Sequence, residues 1–402
     1  MRRYNTSIKS LMEAKNAYQT KRGVAPIFLS DWDSDYNSIQ MPNLAYNNAR
    51  LEDVQKYYFW TDEEGYRDSI QTFLSSHFAH TLSKECFTIG SNGTSSLMLT
   101  LTALKEAGKH RALILTPIYF STLNLLDELD YDVVEYRLSA NNNFIVQIDI
   151  LENTIIKQEV DTLIITNPLF GTGIEIAVDT IRDIAKICNI HDVCLVMDYV
   201  YGGMPWKCEK LTYYIFYDPV YQAVSLSEQH IFIESISKRV FLNGAKFALI
   251  FSSPSIMKRI LRLSVFMVGS MAQQQISLVP QIYSARAVAA IASMISDNAQ
   301  IAYKRYRKIR TILADSNLIL SNANCGYFAM ISIPCGSNID DTTFAIELLR
   351  ETGVLTTPHS RYLYTENGLY SFRINLLLDQ RNLIEGITKL KDLRKCPKSL
   401  PW

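Results

Sequence analysis

No apolar stretch in the 402-residue chain approaches the ~20 residues needed to cross a bilayer. The apolar segment Ala287–Ile295 is too short and reads as a packed helix. Basic residues in Met1-Arg2-Arg3-Tyr4-Asn5 are not followed by an apolar segment, so no secretory leader is expected. Net charge is absent too. Forty Lys and Arg balance forty Asp and Glu, which argues against a broad nucleic-acid or anionic-membrane surface. Paired cysteines are missing: the seven (Cys86, Cys188, Cys194, Cys208, Cys325, Cys335, Cys396) are scattered, odd in number and contain no CxxC. Reduced thiols in a cytoplasmic protein are expected rather than a disulfide framework. Cys188 and Cys194 flank His191, but no second ligand pair accompanies them, so no metal site is expected. There are no repeats and no low-complexity tracts.

What is present is an ordinary apolar content, 48%, in a chain long enough for one large domain and a smaller one. From residue 86 onward, short apolar runs alternate with helical patterns. Strands are expected at Cys86–Gly90, Ala112–Thr116, Asp132–Leu138, Thr162–Thr166, Cys194–Asp198, His230–Ser235 and Phe247–Ser252. Helices are expected at Thr94–Ala107, Phe120–Leu129 and Val178–Cys188. Such alternation predicts an α/β fold, a three-layer sandwich around a mostly parallel sheet. A long helical region, Ser255–Leu313 with Pro280 as an interruption, leads to a smaller α+β unit. That unit has strands at Tyr327–Ile333 and Tyr370–Leu378 and a helix at Asp341–Thr352. Residues 1–20 read as a surface helix or arm, and Ile27–Ser30 as a short strand.

Sheets of this kind bind ligands beyond the carboxyl ends of their strands. The apolar run His230–Ile233 feeds into Glu234-Ser235-Ile236-Ser237-Lys238. Burial disfavours a lysine's charge, and a neutral amine attacks carbonyls, so Lys238 suits an imine with an aldehyde cofactor. The plain alternative is a lysine leaving the sheet into solvent. Asn92-Gly93-Thr94 opens a helix whose free N–H groups suit a phosphate, or is a simple N-cap. Tyr119, after Ala112–Thr116, suits stacking on a ring or plain packing. Asn167, in Asn167-Pro168-Leu169-Phe170-Gly171-Thr172-Gly173, offers a hydrogen bond or merely starts a turn. Asp198 ends an apolar run, where a cationic partner is required. A protonated pyridine nitrogen or a structural salt bridge would serve.

Taken together and in this order, these motifs resemble the fold-type I pyridoxal-phosphate enzymes of the class I/II aminotransferase superfamily. The resemblance spans most of the chain and is clearest over residues 86–252 and near Arg373. It implies pyridoxal 5′-phosphate as cofactor, bound as a Schiff base on Lys238, with Asp198 on the pyridine nitrogen. Asn167 and Tyr201 would bond the ring's phenolic oxygen, and Tyr119 would stack on the ring. Asn92, Gly93, Thr94, Ser235, Ser237 and Lys246 would surround the phosphate. Arg373, in Ser371-Phe372-Arg373-Ile374-Asn375, would grip the α-carboxylate of an amino acid, with Asn167 and Trp32 nearby. Tyr57 or Tyr58 matches a tyrosine that reaches the neighbouring subunit of a homodimer.

The resemblance also implies three parts: residues 1–50 as an arm and part of the small domain, 51–270 as the cofactor-binding domain, and 271–402 as interdomain helix and small domain. Some positions depart from the family pattern. Lys246 stands where arginine is usual, Gly171 replaces a proline, and Trp32 stands where a glycine is frequent. Gly65-Tyr66-Arg67 departs from the usual helix entry. Transamination with a 2-oxo acid is the expected reaction. A lyase, cyclase or oxidase on the same cofactor is the alternative, and a non-catalytic cofactor-binding module a third.

Overall fold

The computed structural model describes residues 8–40, 66–68, 70–72, 83–207, 219–269, 271–284, 287–335 and 340–393. Tyr57 and Tyr58 lie outside these residues.

Seven strands form the main sheet: β2 (Phe87–Gly90), β3 (Arg111–Thr116), β4 (Asp132–Arg137), β5 (Thr162–Thr166), β6 (Cys194–Asp198), β7 (His230–Glu234) and β8 (Ala248–Ser252). Their order is β2-β8-β7-β6-β5-β3-β4. All neighbours pair in parallel except β8, which runs antiparallel to β2 and β7. The central strands are buried on both faces, and their side chains divide by parity. Ile114, Ile164, Val196, Ile231 and Ile250 face one apolar layer with Leu97, Leu101 and Leu104 of the helix Gly93–Glu106. Leu113, Leu163, Leu195, Met197 and Phe232 face the other, with Ile181, Ile184 and Cys188 of the helix Val178–Ile190.

A second, antiparallel sheet joins β9 (Ile319–Leu320), β10 (Phe328–Pro334) and β12 (Leu369–Asn375) in the order β12-β10-β9. Near it, β1 (Ile27–Phe28) pairs in parallel with β11 (Val354–Leu355). The helix Asp341–Thr352 is N-capped by Asp340 and ended by Gly353 at φ +74°. The chain after β1 is pinned along β12: Asn375 N–H donates to the Leu29 carbonyl, and Ser30 Oγ donates to the Arg373 carbonyl.

Some expectations need correction. The region 254–312 forms three helices, Pro254–Met267, Gln273–Ile282 and Val288–Ile312, and Pro280 lies inside the second rather than interrupting the chain. At that point a proline forfeits one hydrogen bond near a helix end. Helices at Ile148–Lys157 and Gln380–Lys391 were not anticipated. Among the described residues no helix is long and apolar enough to cross a membrane.

Candidate active site

Strand register assembles the site. Thr166 is level with Asp198, and Asp198 with Ile233. Asn167 and Tyr199 directly follow these positions and Ser235 follows one residue later, after Glu234, so the three emerge at the same end of the sheet. The ladder continues one step further, with Asn167 N–H donating to the Asp198 carbonyl and Tyr199 N–H to that of Ile233. Beside them opens a cavity of about 100 Å³. Its wall includes Asn92, Gly93, Thr94, Tyr119, Asp198, Tyr201, Ser235, Ser237, Lys238 and Lys246, together with Asn243. Asn167, Arg373 and Trp32 are not on that wall.

Lys238 sits on the single helical turn Ile236–Arg239 that follows β7. It is half-buried, 5.7 Å above the Tyr201 ring, and donates to Asn243 Oδ1 at 3.1 Å. Burial, then the charges of Lys246 and Arg373, push its pKa down to about 8, while Asp33 acts in the opposite direction. The turn is anchored from behind. Arg239 donates to Glu234 Oε2 at 2.6 Å, and Tyr283 donates to Glu234 Oε1 at 3.2 Å. Gly203 keeps the guanidinium in place, since a Cβ there would lie 2.7 Å from Arg239 Cζ.

Asp198 is 4% exposed and accepts from Val200 N–H at 3.2 Å. Burial pushes its pKa up to about 6 despite that bond. Such a carboxylate favours a cationic partner. Asn167 is fully buried. Its Oδ1 accepts from Ile176 N–H at 2.9 Å, whereas its Nδ2 has no protein partner. An orphaned buried donor points to an acceptor supplied from outside the chain.

The opposite end of the cavity suits an anion. Asn92 caps the helix Gly93–Glu106 in a reciprocal box with Ser95, and the first N–H groups of that helix have no intrahelical partner. A Cβ at Gly93 would stand 3.0 Å from Val200 Cγ2, so glycine keeps this backbone low. Ser235 Oγ donates to the Phe247 carbonyl and accepts from Ser237 Oγ, both at 2.6 Å. Lys246 is exposed at the rim, with φ +48°. A phosphate-bearing pyridine aldehyde fits this donor set: amine, carboxylate and helix N-terminus line one cavity, and the orphan amide of Asn167 follows the strand next to that of Asp198.

Arg373 is fully buried on β12. Its Nη2 donates to the Ser30 carbonyl at 2.8 Å, while Nε and Nη1 have no protein partner. Trp32 stacks on the guanidinium at 3.4 Å. Behind Arg373 lies His359, fully buried with neither ring nitrogen bonded. Burial and then the Arg373 charge push its pKa down to about 3. Gly171, at φ +73°, faces it, and a Cβ there would come 2.7 Å from His359 Nε2. Asn243, Glu234, Arg239, Phe328 and His359 were not anticipated as parts of the site. Only the Asn243-Gly244 turn dipeptide beside Lys238 offered a local cue.

His191 Nε2 pairs with Glu152 at 2.9 Å, burial raises the Cys188 thiol to about 12, and no metal-binding group occurs among the described residues.

A sequence profile of the aminotransferase class I and II family matches residues 33–390. Among curated relatives, 1-aminocyclopropane-1-carboxylate synthase 1 of Cucurbita pepo is 24% identical over 251 residues, 59% of this chain and 49% of that protein. LL-diaminopimelate aminotransferase of Dehalococcoides mccartyi is 20% identical over 66% of this chain and 64% of its own. The chain thus spans about half to two thirds of the length of the curated relatives it matches. A double mutant of Thermus thermophilus aspartate aminotransferase superposes with a TM-score of 0.78 at 15% identity, covering 96% of both chains. That likeness shows the fold.

Proposed function

The chain belongs to the aminotransferase class I and II family, and from that premise we propose that it moves an amino group between an amino acid and a 2-oxo acid, with pyridoxal 5′-phosphate in the cavity at Lys238. Members of this family use that cofactor, which supplies an electron sink for negative charge at the substrate Cα. The observation that carries the proposal is that the depressed amine of Lys238 and the buried carboxylate of Asp198 share one cavity.

Lys238 would hold the cofactor at its aldehyde carbon, and its freed amine would take the proton from the substrate Cα and deliver it to that carbon. A lysine with a pKa near 8 is substantially neutral in mildly alkaline solution, as this role needs. Asp198 keeps the pyridine nitrogen protonated. Asn167 Nδ2 and the Tyr201 hydroxyl donate to the ring's phenolic oxygen, and Tyr119 packs on the ring face. Gly93 and Thr94 N–H groups, left open by the Asn92 cap on Ser95, hold the phosphate with Ser235, Ser237 and Lys246. Lys246 offers a point charge where an arginine would offer a fork. Arg373 grips the α-carboxylate, with Trp32 over it. A homodimer with the site at the subunit boundary, a cytoplasmic location and the three-part division at about residues 50 and 270 belong to the same proposal.

The test is product analysis with the loaded enzyme and a panel of amino acids and 2-oxo acids. Exchange of amino groups, abolished by Lys238→Ala, is expected. Absence of any exchange would remove the transfer reading. It would leave elimination, cyclisation or oxidation on the same cofactor, which the similarity to a 1-aminocyclopropane-1-carboxylate synthase favours as second reading.

A further inference from the structure

The surroundings of Arg373 say what kind of amino acid fits. Trp32 lies 3.4 Å from the guanidinium, Phe328 4.6 Å and Phe170 6.0 Å. These rings also touch one another and Tyr201. Trp32 is 6.0 Å from Phe170 and 6.2 Å, perpendicular, from Phe328. Tyr201 is 5.4 Å from Phe328 and 6.1 Å from Phe170. Beside this cage lies a second, small hollow walled by Leu169, Phe170, Tyr201, Cys325, Tyr327 and Phe328. Tyr201 is common to both cavities. Among the described residues, the only cations on either wall are Lys238 and Lys246, both already assigned above.

We infer that the amino acid handled here carries a single carboxylate and an apolar, preferentially aromatic, side chain, and that Trp32 is the residue that selects it. The inference rests on the proposed function, because it takes the cofactor at Lys238 and the α-carboxylate at Arg373. With Arg373 engaged by the α-carboxylate, a second carboxylate among these rings would be buried without a cation. A second ammonium would lie beside the Arg373 charge. An apolar side chain loses nothing there, and an aromatic one gains ring contacts beyond its buried area. Arg373 has no exposed surface, and Trp32, 37% exposed, lies over it. The carboxylate therefore reaches Arg373 past the indole, and the side chain attached to it enters among the same four rings.

The experiment follows the visible absorbance of the holoenzyme in single-turnover mixing with phenylalanine, leucine and methionine, and separately with aspartate, glutamate and lysine. It is repeated with Trp32→Gly and Trp32→Phe. Apolar amino acids should react on the order of 100-fold faster, per unit concentration, than charged ones. Trp32→Gly should shrink that ratio by about tenfold or more, and Trp32→Phe should keep most of it. The absorbance of the resting enzyme serves as the check that each variant folds and loads cofactor. Charged amino acids reacting as fast as apolar ones, or an unchanged ratio in Trp32→Gly, would overturn the inference while leaving the transfer reading intact. No absorbance change with any amino acid would instead sink the transfer reading, and the inference with it.

Discussion

Two buried charged regions lie on either side of Lys238, and they are finished to different degrees. Behind it, both oxygens of Glu234 accept hydrogen bonds, from Arg239 and Tyr283, with the pair 0–2% exposed. In front, Asp198 has one backbone donor, Asn167 Nδ2 has no partner, and Arg373 has two idle donors. Buried charge is costly in both places. Closure from within the chain marks the first as scaffold. The second is left open on the side where a cofactor and substrate would complete it.

Breaking the scaffold should have the largest effect on stability. Glu234→Gln leaves Arg239 buried without its counter-charge and should cost about 3–5 kcal/mol in denaturant unfolding of the apoprotein. Equal losses from Glu234→Gln and Asp198→Asn would erase the contrast between the two regions.

On the open side the sign should reverse. The Asp198 carboxyl has a folded pKa near 6, above its unfolded value, so its contribution to stability falls as pH rises from about 4 to 6. Asp198→Asn should therefore stabilise the apoprotein at pH 8, by about 1–3 kcal/mol, while weakening cofactor binding measured by absorbance titration. Destabilisation of the apoprotein would show that the carboxylate is already paired.

Gly171→Ala should cost about 1–2 kcal/mol, since a side chain is strained at φ +73° and meets His359. His359→Ala in the same chain should recover the contact but not the backbone strain. A fully additive pair of losses would show that the two residues do not touch.

The smallest effect is electrostatic. Lys246→Gln removes one of the charges that depress Lys238, so the pH midpoint for the rate of cofactor attachment to the apoprotein should rise from about 8, by less than one unit. A midpoint unmoved or lowered would detach Lys246 from the lysine it faces.

Much of the frame was legible because it rests on local periodicity. Thr162–Thr166, Cys194–Asp198 and Asp341–Thr352 fall where the pattern puts them. The direction of β8 was not legible. Residues 235–247 link it to β7 without a crossover helix, and only the short link reveals an antiparallel pair. The helix Ile148–Lys157 was obscured by β-branched residues that suit a strand equally, although Leu151 and Ile155 share its buried face. At the site, residues that directly follow a strand could be found from the chain alone. The Trp32–Arg373 stack could be suspected only by analogy, because it joins residues from opposite ends of the sequence. His359 against Gly171 gave no local sign at all.

The most direct test of the central claim is borohydride reduction of the holoenzyme followed by peptide mass analysis. The pyridoxyl mass should appear on the peptide carrying Lys238, at Lys238 itself. Its appearance on Lys246 or any other lysine would contradict the account.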